Sequence, residues 1–271
     1  MPATDLKLLT DAALAAAEIG KRFFREDPEV WDKGGSQGPV TEADLAIDAM
    51  LNTELRAARP DYGWLSEETE DDETRLAHDR VFIVDPIDGT RAFIAGERSW
   101  SHSLAIAENG RVICAVVYVP MMDRLYTASA SEVSKLNGNN IYTTDQDQFE
   151  GAKVLTTKAN LKDHFWRGGP PPVARHFRPS LAYRLSLVGQ GRFDAMITLR
   201  DCWEWDIAAG ELIVRQAGGQ ATDMENAPLT FNRPHPKTNG CVAAGTALHA
   251  LLQSRLAPSQ NTPVATGPHG L

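Results

Sequence analysis

The sequence predicts a mixed α/β (α+β) fold. Amphipathic helical segments alternate with strand-like runs along the chain, and three consecutive strand-like runs in its first half indicate an antiparallel meander. The chain has 271 residues, of which 42% are hydrophobic and 23% are charged, as in a globular protein with a sizeable core. We therefore expect an N-terminal α+β half over residues 1–150 and a C-terminal α/β half over 151–257. A disordered tail is expected over 258–271, where large apolar residues are scarce.

Charge and cysteine usage argue against several kinds of partner. The formal net charge is −9, which argues against a nucleic-acid polymer, although an acidic protein can bind phosphate through divalent cations. Cys114, Cys202 and Cys241 are scattered without C-x-x-C spacing, which predicts reduced thiols and a cytoplasmic protein. The longest apolar run, near residues 112–119, is too short to span a bilayer, and no signal peptide is visible.

Two helices are predicted before the first strand. Residues 4 to about 25 have apolar residues at helical spacing, and a second helix follows Thr41. Thr41 fits the N-cap and Asp44 the reciprocal position of a capping box, so on local evidence Asp44 is a capping residue. Between the helices, a glycine-rich loop over residues 31–39 carries Lys33.

Acidic residues then follow two predicted strands. Residues 62–66 form a short strand that leads into Glu67 and Glu68. Residues 81–84 are apolar and three of the four are β-branched, which predicts a buried strand. Asp85 and Asp88 come directly after it, and Gly89 and Thr90 indicate a turn into a short helix. Carboxylates at a strand end, followed by free backbone N–H groups, predict a place where a metal ion and a phosphate meet.

The meander and the second half complete the chain. The meander strands are predicted over 102–107, 112–119 and 124–128, with a hairpin turn at Asn109-Gly110 and a polar loop over 129–148. In the second half we predict strands over 153–157, 193–199 and 241–245, a loop over 167–173, a helix capped by Ser180 and ended by Gly189, and a final helix over 246–256. A strong helix over 205–219 has Asp206 in its first turn, where the helix dipole by itself favours negative charge.

These acidic residues form a candidate metal site, placed mainly in the N-terminal half. Mg²⁺ prefers oxygen ligands, and carboxylates from different elements can hold two such ions without forming a full cage. The candidate ligands are Glu67, Asp85, the carbonyl of Ile87, Asp88 and Asp206.

Four blocks resemble the inositol monophosphatase superfamily of Mg²⁺-dependent, typically lithium-sensitive phosphatases. The blocks are Lys33…Pro39-Val-Thr41-Glu-Ala-Asp44, Trp64-Leu-Ser-Glu67-Glu68, Asp85-Pro-Ile-Asp88-Gly-Thr90 and Trp205-Asp206-Ile-Ala-Ala-Gly210. The resemblance extends from about residue 5 to 256. It implies a layered αβαβα sandwich with a mostly antiparallel first sheet and a mixed second sheet.

The resemblance also implies the roles of the site residues. It makes Glu67, Asp85, Ile87, Asp88 and Asp206 ligands of two or three Mg²⁺ ions. It places Gly89 and Thr90 at the phosphate and Lys33 near the site. The implied reaction is direct hydrolysis without a covalent intermediate, in which Thr90 and Asp44, or alternatively Glu68, help to take the proton of the attacking water.

The substrate implied by the resemblance is a small phosphorylated metabolite. Inositol monophosphatases generally carry an acidic residue six or seven positions before the aspartate of the Trp-Asp pair, which is Asp206 in this sequence. Here those positions are Leu199 and Arg200. The Leu199-Arg200 stretch and the run from Ser66 to Phe93 are more similar to bacterial 3′(2′),5′-bisphosphate nucleotidases. Arg184, Arg200 or the loop over 167–178 is available for a second phosphate.

Three alternatives remain open at the level of the sequence. The first is an inositol-1-monophosphatase and the next is a histidinol-phosphatase, because Gly89-Thr-Arg-Ala-Phe-Ile94 also resembles that branch. The alternative from a different class is a non-catalytic regulator that binds metal or phosphate on the same fold. The family is often dimeric, so by analogy we also expect a homodimer.

Overall fold

The computed structural model describes residues 4–34 and 38–258. The predicted tail from 259 onwards, and the middle of the glycine-rich loop at 35–37, lie outside the described residues. The α-helices are α1 (Asp5–Phe23), α2 (Glu42–Ala58), α3 (Thr90–Ile94), α4 (Leu181–Gly189), α5 (Glu204–Gln216) and α6 (Thr246–Arg255). The strands are β1 (Val30–Asp32), β2 (Pro39–Thr41), β3 (Gly63–Ser66), β4 (Arg80–Asp88), β5 (Ser101–Glu108), β6 (Arg111–Val119), β7 (Arg124–Ser129), β8 (Glu132–Leu136), β9 (Asn139–Asn140), β10 (Lys153–Leu155), β11 (Ala174–His176), β12 (Ala195–Thr198), β13 (Cys202–Trp203), β14 (Gly219–Thr222), β15 (Lys237–Thr238) and β16 (Cys241–Gly245).

The first sheet has seven strands in the order β3-β4-β5-β6-β7-β8-β9. β3 and β4 are parallel, and every later neighbour pair is antiparallel. Asn109 and Gly110 join β5 to β6 with φ angles of 49° and 80°, the left-handed conformations that a tight two-residue hairpin requires. The predicted meander is therefore confirmed.

The predicted loop over 129–148 is wrong in part, because β8 and β9 lie inside it and extend the sheet. Leu136 in β8 pairs with Tyr126 in β7. Ser134 is fully buried, and its hydroxyl donates to the carbonyl of Ile213 in α5 at 2.8 Å. The polar side chain finds its partner 79 residues away, so the composition of the segment does not reveal the strand. The short strands β1, β2, β11, β13, β14 and β15 are likewise not predicted by local patterns.

The second sheet is mixed, with the order β11-β10-β12-β16-β14. β10 is parallel to both of its neighbours, and β16 is antiparallel to both of its own. α4 and α5 pack between the two sheets in a shared core. α1 and α2 cover the other face of the first sheet, and α6 covers the other face of the second. The layers are thus α, β, α, β, α, as the resemblance implied, while the division of the chain into two halves stays a prediction.

β4 is buried on both faces, which explains its continuous apolar run. Phe82 and Val84 pack toward α1 and α2, whereas Val81 and Ile83 pack toward α4 and α5. The strand continues beyond this run to Asp88, with an irregular register against β5 over its last residues. The predicted buried strand is confirmed, and the core on both sides fixes the direction in which its acidic end points.

The cysteines and helices agree with two further expectations. Cys114, Cys202 and Cys241 are all free thiols. Within residues 4–34 and 38–258, every helix is too short or too polar to cross a bilayer.

Gly210, the last residue of the block that begins at Trp205, is required by helix packing. A Cβ atom on Gly210 in α5 would lie 2.4 Å from Cβ and 2.5 Å from Cδ1 of Leu185 in α4. We expect Gly210→Ala to lower the free energy of unfolding by about 1–3 kcal/mol through overpacking, although alanine favours helix by up to ~1 kcal/mol over glycine. Urea denaturation measures this change, and an unchanged or higher midpoint would contradict the close α4–α5 contact.

Candidate active site

A cleft of about 500 Å³ lies where the ends of β3, β4 and β12 meet the starts of α3, α4 and α5. Its lining includes Glu67, Asp85, Asp88, Thr90, Arg200 and Asp206. The strand ends and the helix starts bring these residues together although the sequence separates them widely, from Glu67 to Asp206. The cleft therefore collects most of the predicted site residues in one place.

Three carboxylates in this cleft form a cluster suited to a metal ion. Glu67, Asp85 and Asp206 each offer an oxygen, and these oxygens lie within 4.8 Å of one another. Asp85 is 1% exposed, and its Oδ1 has no hydrogen-bond partner among the described residues. A buried, unpaired carboxylate oxygen is costly unless a cation or a donor satisfies it. The donor set is all oxygen, so these residues fit a hard divalent cation.

The electrostatics of the cluster support the same conclusion. Burial raises the pKa of Asp85 well above its usual range, and the charges of Glu67 and Asp88 raise it further. Burial likewise raises the pKa of Asp206, with the charges of Asp88 and Glu67 adding to the effect. Both shifts mean that the charged carboxylates destabilise one another without a cation between them.

Asp88 lines the same cleft, but its carboxylate faces the start of α4. It accepts hydrogen bonds from Ser180 Oγ at 2.6 Å, from the N–H of Leu181 at 3.2 Å and from the N–H of Ala182 at 2.6 Å. Burial raises the pKa of Asp88 to about 6, and these hydrogen bonds oppose the shift. The carbonyl of Ile87 accepts a hydrogen bond from Thr90 Oγ1 at 3.2 Å. Asp88 therefore lines the cleft of the three-carboxylate cluster, and both its carboxylate and the carbonyl of Ile87 accept hydrogen bonds from the protein.

Asp44 caps α2 and also lies beside Thr90. Its Oδ2 accepts hydrogen bonds from the N–H and the hydroxyl of Thr41 at 2.9 and 2.5 Å, which confirms the capping box. Its Oδ1 lies 3.4 Å from the hydroxyl of Thr90, whose single hydrogen it shares with the closer carbonyl of Ile87. Burial raises the pKa of Asp44 to about 6, while the bonds from Thr41 oppose the shift. The hydrogen bonds from Thr41 thus hold the Asp44 carboxylate, whose pKa is about 6, beside Thr90.

Lys33 lies at the cluster and is not simply a solvated charge. Its ammonium lies 2.9 Å from Glu67 Oε1 and 2.7 Å from Glu68 Oε1. Burial lowers the pKa of Lys33, but the two glutamates outweigh this effect and raise it. Burial and the charge of Glu67 raise the pKa of Glu68 to about 8 although Lys33 opposes the shift. The lysine therefore neutralises part of the acidic cluster.

Gly89 makes the sharp turn from β4 into α3. Its φ angle is 99°, in the left-handed region, so a side chain would be strained there. Its carbonyl accepts hydrogen bonds from the N–H groups of Ala92 and Phe93 at 2.8 and 3.1 Å. This turn places Thr90 at the cleft, as the sequence predicted.

The two arginines predicted at the substrate differ in their surroundings. Arg184 is 5% exposed, donates to the carbonyls of Arg178 and Pro179, and lies with its guanidinium carbon 4.4 Å from the ring centroid of Phe177. Burial lowers the pKa of Arg184 to about 10, with the charge of Arg200 adding to the shift, so it stays charged at neutral pH. Arg200 is exposed and lines the cleft.

Several cleft residues are not predicted from the sequence. Ser180 is predicted only as the cap of α4, which its bond from the N–H of Tyr183 at 2.9 Å confirms, but its hydroxyl also binds Asp88. Phe177 and Trp203 line the cleft as well, and Trp203 stacks on Trp205 with ring centroids 4.6 Å apart. No local pattern marks these residues, because their neighbours in the cleft come from other elements.

Comparisons with known proteins agree with this geometry. A family model described as the inositol monophosphatase family matches residues 2–261. An inositol-1-monophosphatase of Rhizobium meliloti (strain 1021) is 34% identical over 238 residues, which cover 80% of this chain and 86% of that protein. The Nus factor SuhB of Escherichia coli (strain K12) is 32% identical over 232 residues, which cover 79% and 84%. A solved IMPase structure from Thermotoga maritima superposes with a TM-score of 0.78 at 26% identity and covers 92% of this chain and 95% of that one.

The fold and the carboxylate-lined cleft define the class of protein as a phosphatase, a hydrolase of phosphoric monoesters. Its acidic cluster has the oxygen donors that a metal-dependent member of this class needs. The chain belongs to the inositol monophosphatase family. The family resemblance drawn from the four sequence blocks is thereby confirmed.

Proposed function

We propose that this chain hydrolyses a small phosphomonoester with Mg²⁺ as its cofactor, and that its preferred substrate is a 3′(2′),5′-bisphosphate nucleotide. The observation that carries the metal dependence is the cluster of Glu67, Asp85 and Asp206, together with the buried Oδ1 of Asp85, which has no hydrogen-bond partner in the described part of the chain. Asp88 and the carbonyl of Ile87 are the further ligands proposed for two or three ions. When bound, Mg²⁺ lowers the pKa of a water and neutralises charge on phosphoryl oxygens.

The residues beside the cluster supply the proton acceptor. Thr90 Oγ1 lies 3.4 Å from Asp44 Oδ1, so the hydroxyl can pass a proton from the attacking water to the carboxylate. A pKa of about 6 leaves Asp44 ionised at neutral pH, close to the value that suits a general base. Glu68 is the alternative base, but its carboxylate is already paired with Lys33 at 2.7 Å. We therefore favour Thr90 and Asp44.

The choice of substrate depends on Arg200. Leu199 is 5% exposed and packs in the core with α6, so Arg200 is the member of this pair that lines the cleft. A cation at this place favours a substrate with a second anionic group, because arginine binds phosphate with charge-assisted hydrogen bonds. Arg184 adds a second positive charge to the same wall of the cleft.

Two other candidates are supported by the names of relatives. The Rhizobium meliloti relative is an inositol-1-monophosphatase, which favours inositol 1-phosphate as the second candidate substrate. The Escherichia coli relative is a Nus factor, which favours the non-catalytic alternative, a regulator that works through a macromolecular partner. A cytoplasmic location and a homodimer stay predictions from the cysteine pattern and from the family.

A substrate panel with one charge-reversal variant tests the proposal. With Mg²⁺ present, we expect kcat/KM for adenosine 3′,5′-bisphosphate to exceed the values for inositol 1-phosphate, histidinol phosphate and fructose 1,6-bisphosphate. Arg200→Glu should lower the value for the bisphosphate nucleotide by about 10- to 100-fold, as expected for one lost charge-assisted contact, and should change the value for inositol 1-phosphate little. Arg192→Glu, an exposed site outside the cleft, is the matched control.

The outcomes separate the parts of the proposal. Equal or better turnover of inositol 1-phosphate by the wild type would overturn the choice of substrate. Release of no phosphate from any of the four compounds would overturn the hydrolase itself and favour the regulator.

A further inference from the structure

Asp48 lies one helical turn after Asp44 on α2 and takes no part in the chemistry described above. Its side chain is 8% exposed. Its Oδ1 accepts a hydrogen bond from Ser66 Oγ at 2.5 Å, and its Oδ2 accepts one from Thr69 Oγ1 at 2.7 Å. These two hydroxyls stand immediately before and after the pair of glutamates that borders the acidic cluster. One buried carboxylate therefore holds both ends of the four-residue segment 66–69.

Asp48 is also the last acceptor of two short hydrogen-bond chains. The indole N–H of Trp64 donates to Thr69 Oγ1 at 3.1 Å, and Thr69 then donates to Asp48. The N–H of Glu68 lies 3.4 Å from Ser66 Oγ, and Ser66 likewise donates to Asp48. Each hydroxyl accepts one hydrogen bond and donates its own hydrogen in another. Each therefore requires a partner that acts only as an acceptor. A carboxylate supplies two such oxygens.

Lys33 contacts both glutamates of this segment and offsets part of their charge, but the remaining repulsion from nearby carboxylates favours a further anchor. An oxygen of Glu67 lies within 4.8 Å of carboxylate oxygens of Asp85 and Asp206. Glu67 follows β3, which lies at the edge of the first sheet, and its backbone retains one sheet bond, from its N–H to the carbonyl of Val84 at 3.2 Å. Repulsion from the other carboxylates would push Glu67 outward toward solvent.

We propose that Asp48 is a positioning residue of the metal site, which fixes the glutamate at position 67 where it can share a cation with Asp85 and Asp206. The inference rests on the metal site proposed above. Removal of a group that hydrogen-bonds to a metal ligand or to its segment commonly lowers metal affinity or activity by about 10- to 100-fold. α2 then contributes two residues to the site. Asp44 lies beside Thr90, and Asp48 binds the two hydroxyls that flank the glutamates.

Binding of Mn²⁺ alone, followed by calorimetry or by electron paramagnetic resonance of the free ion, tests the proposal without any substrate. We expect Asp48→Ala to raise the Kd for Mn²⁺ about tenfold or more. Asp48→Asn should have an intermediate effect, because its amide group can accept from only one of the two hydroxyls. In assays of phosphate release, the Mg²⁺ concentration for half-maximal rate should rise similarly, while kcat at saturating Mg²⁺ changes much less.

A control variant separates positioning from stability. Leu51 lies on the same helix, is fully buried and packs in the core between α1 and the first sheet. Leu51→Ala should lower the Tm at least as much as Asp48→Ala does and leave the Kd for Mn²⁺ unchanged. An equal rise of Kd in Leu51→Ala, or a wild-type Kd in Asp48→Ala, would overturn the proposal.

Two further measurements keep the test decisive. If Asp48→Ala does not fold, Ser66→Ala and Thr69→Val each remove one of the two donors, and a raised Kd in both supports the proposal while wild-type values overturn it. If the wild type itself binds no Mn²⁺, the proposed metal site fails together with this inference. If the wild type binds Mn²⁺ and the Asp48 variants bind it equally well, the inference alone fails.

Discussion

Asp85→Asn is expected to lower kcat/KM for phosphate release by about 10³-fold or more, the scale of losing a preorganised charge at the reacting group. Asp85 is 1% exposed, its Oδ1 has no partner among the described residues, and it shares the cluster with Glu67 and Asp206. Asparagine keeps the shape of the side chain but loses one anionic oxygen. The variant should therefore fold normally and bind the divalent cation poorly. Steady-state kinetics with saturating Mg²⁺ measure the effect.

The same substitution should not lower the stability of the metal-free protein and is expected to raise it. Burial and neighbouring charges raise the pKa of Asp85 well above its usual range, which means that the ionised carboxylate destabilises the fold at neutral pH when no cation is present. Asparagine removes that charge. In excess chelator we expect Asp85→Asn to have a Tm equal to or above that of the wild type. Added Mg²⁺ should raise the Tm of the wild type and leave that of the variant nearly unchanged.

Glu211→Gln is the matched control for loss of a buried carboxylate. Glu211 is 7% exposed and pairs with Arg215 at 2.7 Å in the same helix that carries Asp206, but it does not line the cleft. This variant should lose some stability and keep its activity within a few-fold of the wild type. Near-normal activity in Asp85→Asn would show that the metal assignment is wrong.

Removal of divalent cations is expected to abolish phosphate release, to below roughly 1% of the rate with Mg²⁺, since the cation supplies most of the charge stabilisation in such sites. A phosphate dianion that enters the cation-free cleft would meet the clustered negative charges of Glu67, Asp85 and Asp206. Lys33 can offset only part of that charge, because its ammonium is already shared between Glu67 and Glu68. Without a cation, the carboxylate cluster therefore repels the phosphate at the place where the reaction requires it.

The measurement is phosphate release after treatment with chelator, followed by titration with Mg²⁺. Full recovery of the rate excludes irreversible unfolding as the cause of the loss. Ca²⁺ at equal concentration should restore much less activity, because its oxygen ligands lie at longer distances and in a less regular geometry than those of Mg²⁺. A rate that chelator leaves unchanged would contradict the metal-dependent mechanism.

Features that depend on neighbours along the chain could be predicted from the sequence. The Asn109-Gly110 hairpin, the capping box of Thr41 and Asp44, and the turn at Gly89 all follow from local backbone preferences, and all are present. The apolar run before Asp85 predicted a strand with a core on both faces, because burial on both sides needs no alternation of polar residues. The same local signals, with the family resemblance, identified Glu67, Asp85, Asp88, Thr90 and Asp206, all of which line the cleft.

Features that depend on distant partners could not be predicted. β8 has a polar composition, yet Ser134 is buried because the carbonyl of Ile213 accepts its hydroxyl proton at 2.8 Å. Asp88 was predicted as a metal ligand, but its bonds to Ser180 and to the start of α4, 92 residues away, could not be foreseen. Asp48 looks like one more polar position of α2 until its two hydroxyl donors are seen.

The sequence by itself determined the chemical character of the site: carboxylates at strand ends with a glycine turn beside them predict a place for a metal ion and a phosphate. The resemblance of four sequence blocks to a known family implied that this site belongs to a phosphatase. The tertiary structure decided how those carboxylates are arranged. It showed which oxygen of Asp85 lacks a partner within residues 4–34 and 38–258, which glutamate oxygens Lys33 contacts, and which of Leu199 and Arg200 lines the cleft. The physical reason is that residue types are fixed by the chain, whereas charge repulsion, burial and hydrogen bonding at the site arise between residues that only folding brings together.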